Sequence, residues 1–225
     1  MSKHLSNLQR ILGPGGLIAK HLSGYEFRPQ QLQMAEAVAS ALQSNEHLIA
    51  EAGTGVGKSF AYLIPAIELA LELKEPVVIS TNTISLQEQL IHKDIPFLQE
   101  VLPSPFTAFL AKGRGNYLSR RRLNSLLAYE RGIFETRDEV EEVARIVKWV
   151  NITHDGSKAD LEPQPVPEIW DMVVSDRDNC LGHKCPTYGT CFYFKARAQM
   201  GEANLLIVNH HLLFSDLAIR KSNPY

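Results

Sequence analysis

Two short stretches of this chain concentrate the residues that could do chemistry. In AEAGTGVGKSF, the run Ala52-Gly53-Thr54-Gly55-Val56-Gly57-Lys58-Ser59 fits the P-loop pattern with Ala in the first position. Gly53, Gly55 and Gly57, with Thr54 among them, let backbone N–H groups turn inward around phosphates; Lys58 can reach the β- and γ-phosphates, and Ser59 can ligate Mg²⁺. HLIAEA enters the loop as a strand and KSFAYLIPAIELALEL leaves it as a helix, so a helix N-terminus also faces the phosphates. A glycine-rich turn followed by a chance Lys-Ser pair is the bland alternative, and the strand–loop–helix context weighs against it. Hydrolysis asks for more, namely an acid from a second strand to hold Mg²⁺ and a residue that orients water. No apolar strand ends in such a carboxylate pair. NLLIVNHH ends in Asn209, His210 and His211, and two adjacent His on a strand point to opposite faces, as structural or coupling residues rather than metal ligands.

The second stretch, NCLGHKCPTYGTC, holds all three cysteines, Cys180, Cys185 and Cys191. A clustered odd number points to metal ligation or redox chemistry more than to a disulfide framework. Cys180, His183, Cys185 and Cys191 could make a Cys₃His zinc site, loosely spaced for a zinc finger; the alternative is three small core residues. Upstream, KGRGNYLSRRRL carries Lys112, Arg114, Arg120, Arg121 and Arg122 with no acid among them and Tyr117 in the middle. Such a run suits a single-strand path, in which cations track phosphates and an aromatic stacks on a base; a solvated helix face is the plainer reading.

The elements that must position these residues follow from periodicity. After a polar N-terminal segment, RPQQLQMAEAVASAL spaces Leu32, Ala35, Val38, Ala39 and Leu42 as one face of a helix. HLIAEA, PVVIST and FTAFLAKG read as strands, with helices at KSFAYLIPAIELALEL (despite Pro65) and SLQEQLIHKDIPFL between them. Strand alternating with helix is the signature of a parallel α/β sheet. Residues from about 117 to 176 then look mostly helical, RDEVEEVARIVKWV most clearly, around a polar loop THDGSKADLEPQPVP. A helix at FYFKARAQMGEA and a strand at NLLIVNH return the chain to the sheet. This predicts three segments: 1–112 in the sheet unit, 113–203 as a helical insertion and 204–225 as the return. No internal repeat or low-complexity tract interrupts them.

Composition excludes the extremes. Hydrophobic residues make up 44% of the 225, charged residues 21%, and the formal net charge is −2, so attraction to nucleic acid must come from local basic patches. No run of eighteen apolar residues and no secretory leader pattern is present, which makes a cytoplasmic, membrane-free location the expectation.

Taken together, the motifs resemble the iron–sulfur superfamily 2 DNA helicases of the DinG and XPD type, closest to bacterial DinG. YEFRPQQLQM looks like the adenine-sensing Q-motif, EAGTGVGKSFAYLIPA like motif I, VVISTNTISLQEQL like motif Ia, and ANLLIVNHHLLFSDL like the segment leading towards the DEAH box. The resemblance implies an α/β fold, a RecA-like P-loop parallel sheet with a helical, cysteine-bearing insertion. It implies ATP and Mg²⁺ as cofactors, Lys58 as the catalytic P-loop lysine, and Arg28 and Gln31 as readers of adenine, where plain helix-start chemistry around Pro29 is the alternative. Thr81 and Asn82 would meet the DNA backbone, while Asn82 or Ser85 could cap a helix, the two roles being compatible; Arg114, Tyr117 and Arg120 would line the strand's path. In the family four cysteines hold a 4Fe-4S cluster, and Ser119 stands at the first of those positions, so a three-ligand cluster, a cluster completed by serine or water, or no cluster remain open. Family members travel 5′ to 3′ on single-stranded DNA in repair. The DEAH box and the second motor domain are absent, so the chain matches the N-terminal portion of a helicase and alone should not unwind DNA. A non-catalytic nucleotide- or metal-binding remnant is the rival. A relative with 3′-to-5′ exonuclease activity would need a nuclease domain ahead of the Q-motif, for which residues before Tyr25 leave no room.

Overall fold

The computed structural model describes residues 3–128, 134 and 136–222. The chain divides into two units, one formed by residues up to Leu110 and from Glu202 onward, the other by Ala111–Gly201.

The first unit opens with two helices that sequence reading took for a polar segment, α1 (Lys3–Leu12) and α2 (Leu17–His21). Leu8, Ile11 and Leu12 recur at helical spacing and are buried, as is Ile18. Helix α3 (Pro29–Ser44) starts on Pro29, whose missing N–H costs nothing at a first helical position, and ends on Asn45 in the left-handed conformation. Helix α4 (Lys58–Leu73) contributes Ala61, Leu63, Ile64, Ala66 and Ile67 to the core and tolerates Pro65 inside it. Strand β1 (Val77–Thr81) leads to α5 (Ile84–Gln89), capped by the Thr83 hydroxyl, which accepts the Leu86 N–H at 3.3 Å. One π-turn over Leu90–Asp94 joins α5 to α6 (Ile95–Val101), followed by β2 (Ala108–Leu110).

The sheet order is β1-β3-β2, where β3 (Leu205–Asn209) is central and parallel to both neighbours. Its register sets Val77 against Leu205, Thr81 against Asn209 and Leu110 against Ile207. Leu205 and Ile207 are fully buried beneath the helices, as a strand covered on its faces requires.

Two expectations are corrected here. HLIAEA lies outside any strand, and Ile49 is 99% exposed. The apolar residues for a strand are there, but a strand exists only through a neighbour's ladder, and β1, β2 and β3 pair with one another alone. His210 and His211 are not strand residues either: β3 stops at Asn209 and both open helix α11 (His210–Ser222). Asn209 makes that switch by accepting the Leu212 N–H at 2.6 Å.

The second unit holds α7 (Arg120–Ala128), α8 (Arg137–Val150), α9 (Pro167–Val173) and α10 (Phe192–Glu202), the last running into the first unit. A capping box starts α8, with Thr136 and Glu139 each bonding the other's backbone N–H. Its core joins Leu118, Val143, Ile146, Ile169 and Val173 to an edge-to-face pair, Trp149 and Trp170, with ring centroids 6.3 Å apart.

Candidate nucleotide loop and cysteine pocket

In the first unit the P-loop is held by its carbonyls. Lys58 Nζ donates to Ala52 O at 2.9 Å and Gly53 O at 2.8 Å. Arg28 Nη1 donates to Gly55 O, and Gln31 Nε2 donates to Gly57 O at 2.9 Å. These contacts use carbonyl oxygens, so none of them occupies a loop N–H group, the kind of donor that binds an anion. Gly57, at φ +86°, turns the chain into α4, whose orphaned first-turn N–H groups add their share of the helix dipole. Ser59 is within hydrogen-bonding reach of the Tyr62 phenol, whose pKa is raised by burial against the lowering effect of that contact. Thr54 and Gly55 are exposed, open to a ligand.

The residues expected to read adenine sit against this loop. Arg28 is exposed, while Gln31 is only 2% exposed, with its Oε1 accepting from Tyr25 Oη at 2.8 Å. At the carboxyl end of β1, Thr81 is buried and its hydroxyl donates to Thr83 O at 3.3 Å, whereas Asn82 is exposed. Ser80 Oγ and His210 Nδ1 lie 2.7 Å apart, tying the ends of β1 and β3 together.

In the second unit Ser119, Cys180, Cys185 and Cys191 line one cavity of about 30 Å³, together with Arg120, Arg121 and Arg122. The guanidiniums grip carbonyls of the unit's own chain. Arg120 Nη2 donates to Val150 O at 3.1 Å, Arg121 to Asn179, and Arg122 to Val174 O and Asp171 O at 2.8 and 2.7 Å. Arg114 Nη2 donates to Cys180 Sγ at 3.2 Å and lies 4.1 Å from the centroid of the Tyr193 ring. Carbonyl partners leave the positive charge in place, so the thiols sit in an electropositive surround. Burial works to raise the Cys185 thiol, but the Thr187 hydroxyl and amide and the Arg121 guanidinium outweigh it and hold its pKa below the ordinary value.

The basic run is therefore neither a plain solvated face nor a row of free phosphate contacts, since its arginines are struts between segments. Tyr117 does not offer its ring to a base: it is 2% exposed, packed edge-on to Tyr193, and burial pushes its pKa up to about 12.

A cluster or an ion can be tested against these side chains. Their donor chemistry suits a metal, three thiols and a hydroxyl on one wall. Their geometry does not close on it: among the described residues no three of His, Cys, Asp or Glu converge on a common point, and a 30 Å³ cavity has room for about one water. The zinc alternative loses its fourth ligand. His183 lies outside the cavity lining, its ring tilted against Tyr188 at 4.4 Å and Phe194 at 6.3 Å between centroids. Sequence reading missed the aromatic group of Tyr188 and Phe194 that His183 packs against, with Tyr193 edge-on to Phe194; the spacing in TYGTCFYF was its signal.

A glycine-rich loop entering a helix beside a parallel sheet defines the P-loop nucleotide-binding α/β class. Within that class, residues 28–112 match the DEAD/DEAH box helicase family, so the chain carries the N-terminal portion of a helicase domain of this kind. It is 35% identical over 218 residues to the ATP-dependent DNA helicase YoaA of Haemophilus influenzae, covering 96% of this chain and 33% of that protein. It is 39% identical over 211 residues to the ATP-dependent helicase DinG of Mycobacterium tuberculosis, covering 87% and 32%. The 3'-5' exonuclease DinG of Bacillus subtilis is 34% identical over 200 residues, covering 88% and 21%. The chain spans about a third of the length of the helicases it matches. Among the described residues no helix is long and apolar enough to cross a membrane.

Proposed function

We propose that this chain is the nucleotide-binding, N-terminal portion of an ATP-dependent DNA helicase of the DinG type, in which ATP turnover drives 5′-to-3′ movement on single-stranded DNA during cytoplasmic DNA repair. The observation that carries the reading is the P-loop, whose carbonyls are engaged by Lys58 from within and by Arg28 and Gln31 from outside, running into the N-terminus of α4.

On this reading the triphosphate lies on the N–H groups of Gly53–Ser59. Lys58 then leaves Ala52 O and Gly53 O for the β- and γ-phosphates, exchanging two carbonyl partners for charged oxygens. Ser59 would hold Mg²⁺, which when bound neutralises charge developing on the phosphates. Strands β1 and β3 end in Thr81 and Asn209, neither of them a carboxylate, so on this reading turnover needs an acid from elsewhere. The second reading is a nucleotide-binding module without motor activity. DNA contact falls to exposed Asn82 and to the charge of Arg114 and Arg120 more than to Thr81 or Tyr117. If the chain holds a 4Fe-4S cluster, Cys180, Cys185 and Cys191 would be its thiolate ligands and Ser119 would stand at the fourth position; that Ser119 and the three thiols line one cavity supports the reading, while their placement here does not converge on a metal. The domain division proposed is motor over 1–112 and 204–225 and cluster-type insertion over 113–203, with a second motor domain as the partner that closes the nucleotide cleft.

The test is an equilibrium titration with Mg·ATP. Lys58→Ala removes the one cation inside the loop and is expected to abolish measurable binding; unchanged affinity would refute the P-loop assignment. DNA-stimulated ATPase in the full gene product separates the helicase from the module, which predicts none.

A further inference from the structure

We propose that His210 is a positioning residue for the polar turn after β1, holding Thr81–Thr83 in place for a nucleic-acid backbone through its side-chain contact with Ser80. This deepens the reading that exposed Asn82 meets DNA, and rests on it.

Strands β1 and β3 run parallel and in register to their last residues, Ser80 against Val208 and Thr81 against Asn209. Beyond that pair the backbone ladder stops and the two chains part, β1 into the Asn82 turn and β3 into α11. Side-chain contacts take over at the branch point. Asn209 Oδ1 accepts the Leu212 N–H at 2.6 Å, fixing the first turn of α11. His210, the first residue of that helix, brings its Nδ1 to 2.7 Å from Ser80 Oγ, a contact between residues 130 positions apart. On the α5 side the turn is already anchored. Thr81 is 4% exposed and its hydroxyl donates to Thr83 O at 3.3 Å, while the Thr83 hydroxyl accepts the Leu86 N–H at 3.3 Å. Asn82, between these anchors, is exposed. His210 thus steadies the flank of the turn that the α5 cap does not reach.

The place suits a ligand, since open α/β sheets bind theirs outside the carboxyl ends of parallel strands. Its groups are an amide and hydroxyls, which hydrogen-bond phosphodiester oxygens without a formal charge. Neutral contacts of that kind weaken steeply with distance and angle, so their strength depends on where the backbone sets them. His210 is exposed and Ser80 only half-buried, so both return to water when the contact is lost. Folding then loses little, and the effect falls on the turn.

The experiment measures Kd for a labelled oligothymidylate and for Mg·ATP, with the urea midpoint, on the whole chain and its variants. His210→Ala is expected to weaken the oligonucleotide about fivefold and to leave Mg·ATP affinity and the urea midpoint unchanged. His210→Asn, whose amide stands where Nδ1 stood, restores most of the loss. Ser80→Ala loses the same factor, and the double variant loses no more than either single one, because both remove one contact. In an Asn82→Ala background His210→Ala weakens binding no further. Unchanged oligonucleotide affinity in His210→Ala would overturn the proposal. Additive losses from Ser80→Ala and His210→Ala, or a further loss in the Asn82→Ala background, would overturn it in favour of direct DNA contact by His210. A fall in Mg·ATP affinity by the same factor, or a lowered urea midpoint, would overturn it in favour of general packing. Wild-type affinity in Asn82→Ala, or no oligonucleotide binding by the wild-type chain, would instead refute the DNA-contact reading beneath it.

Discussion

Ser119 shows how one atom can decide a site's chemistry. Its Oγ accepts the Arg122 N–H at 3.4 Å at the start of α7, while its own N–H donates to Val173 O at 2.8 Å. The hydroxyl thus serves as a helix cap on the wall that the three thiols share. Ser119→Cys exchanges a cap for a ligand: it is expected to lower stability by about 1 kcal/mol and to raise iron and sulfide bound per chain after anaerobic reconstitution. Elemental analysis and the visible absorption spectrum check this, and iron content equal to wild type would remove Ser119 from the fourth corner. The glycine-rich loop and its junction with α4 were legible at this scale because they are contiguous residues, and contiguous residues are what a sequence displays. Arg120, Arg121 and Arg122 were legible as charge but not as struts, because the carbonyls of Val150, Asn179 and Val174 that they meet lie far along the chain. Tyr117 misled for the same reason, since its burial comes from partners such as Tyr193 that a local window does not contain.

Among the elements, the contrast between β3 and the HLIAEA segment separates composition from pairing. Both are apolar, yet Ile207 is fully buried in the central strand and Ile49 is 99% exposed beside the loop. Ile207→Ala is expected to cost about 2–5 kcal/mol, whereas Ile49→Ser should change stability by no more than about 0.5 kcal/mol. Urea unfolding of the two variants reads this directly, and a large loss from Ile49→Ser would mean that the segment is packed in solution. Periodicity revealed α3, α4 and the alternation of strand and helix, whose apolar faces repeat within a short window. It missed α1 and α2 because Lys3, Asn7, Gln9 and Arg10 dilute a stripe as narrow as Leu8, Ile11 and Leu12. It placed His210 and His211 one element too early, on β3 instead of α11, because the switch from strand to helix depends on the Asn209 side chain and leaves no mark on hydropathy.

For the molecule as a whole, two units carry two sets of residues: the first holds the glycine-rich loop proposed to take phosphate, the second a thiol wall set among arginines. A net charge of −2 spread over 225 residues gives no general attraction to polyphosphates, so nucleotide affinity must be local. Amide hydrogen exchange of the whole chain, with and without Mg·ATP, locates that affinity. Slowed exchange is predicted in peptides spanning Gly53–Ala61, where the N–H groups take on phosphate oxygens, and none in the same peptides of Lys58→Ala. Nucleotide-dependent protection elsewhere, with Gly53–Ser59 unchanged, would contradict the account.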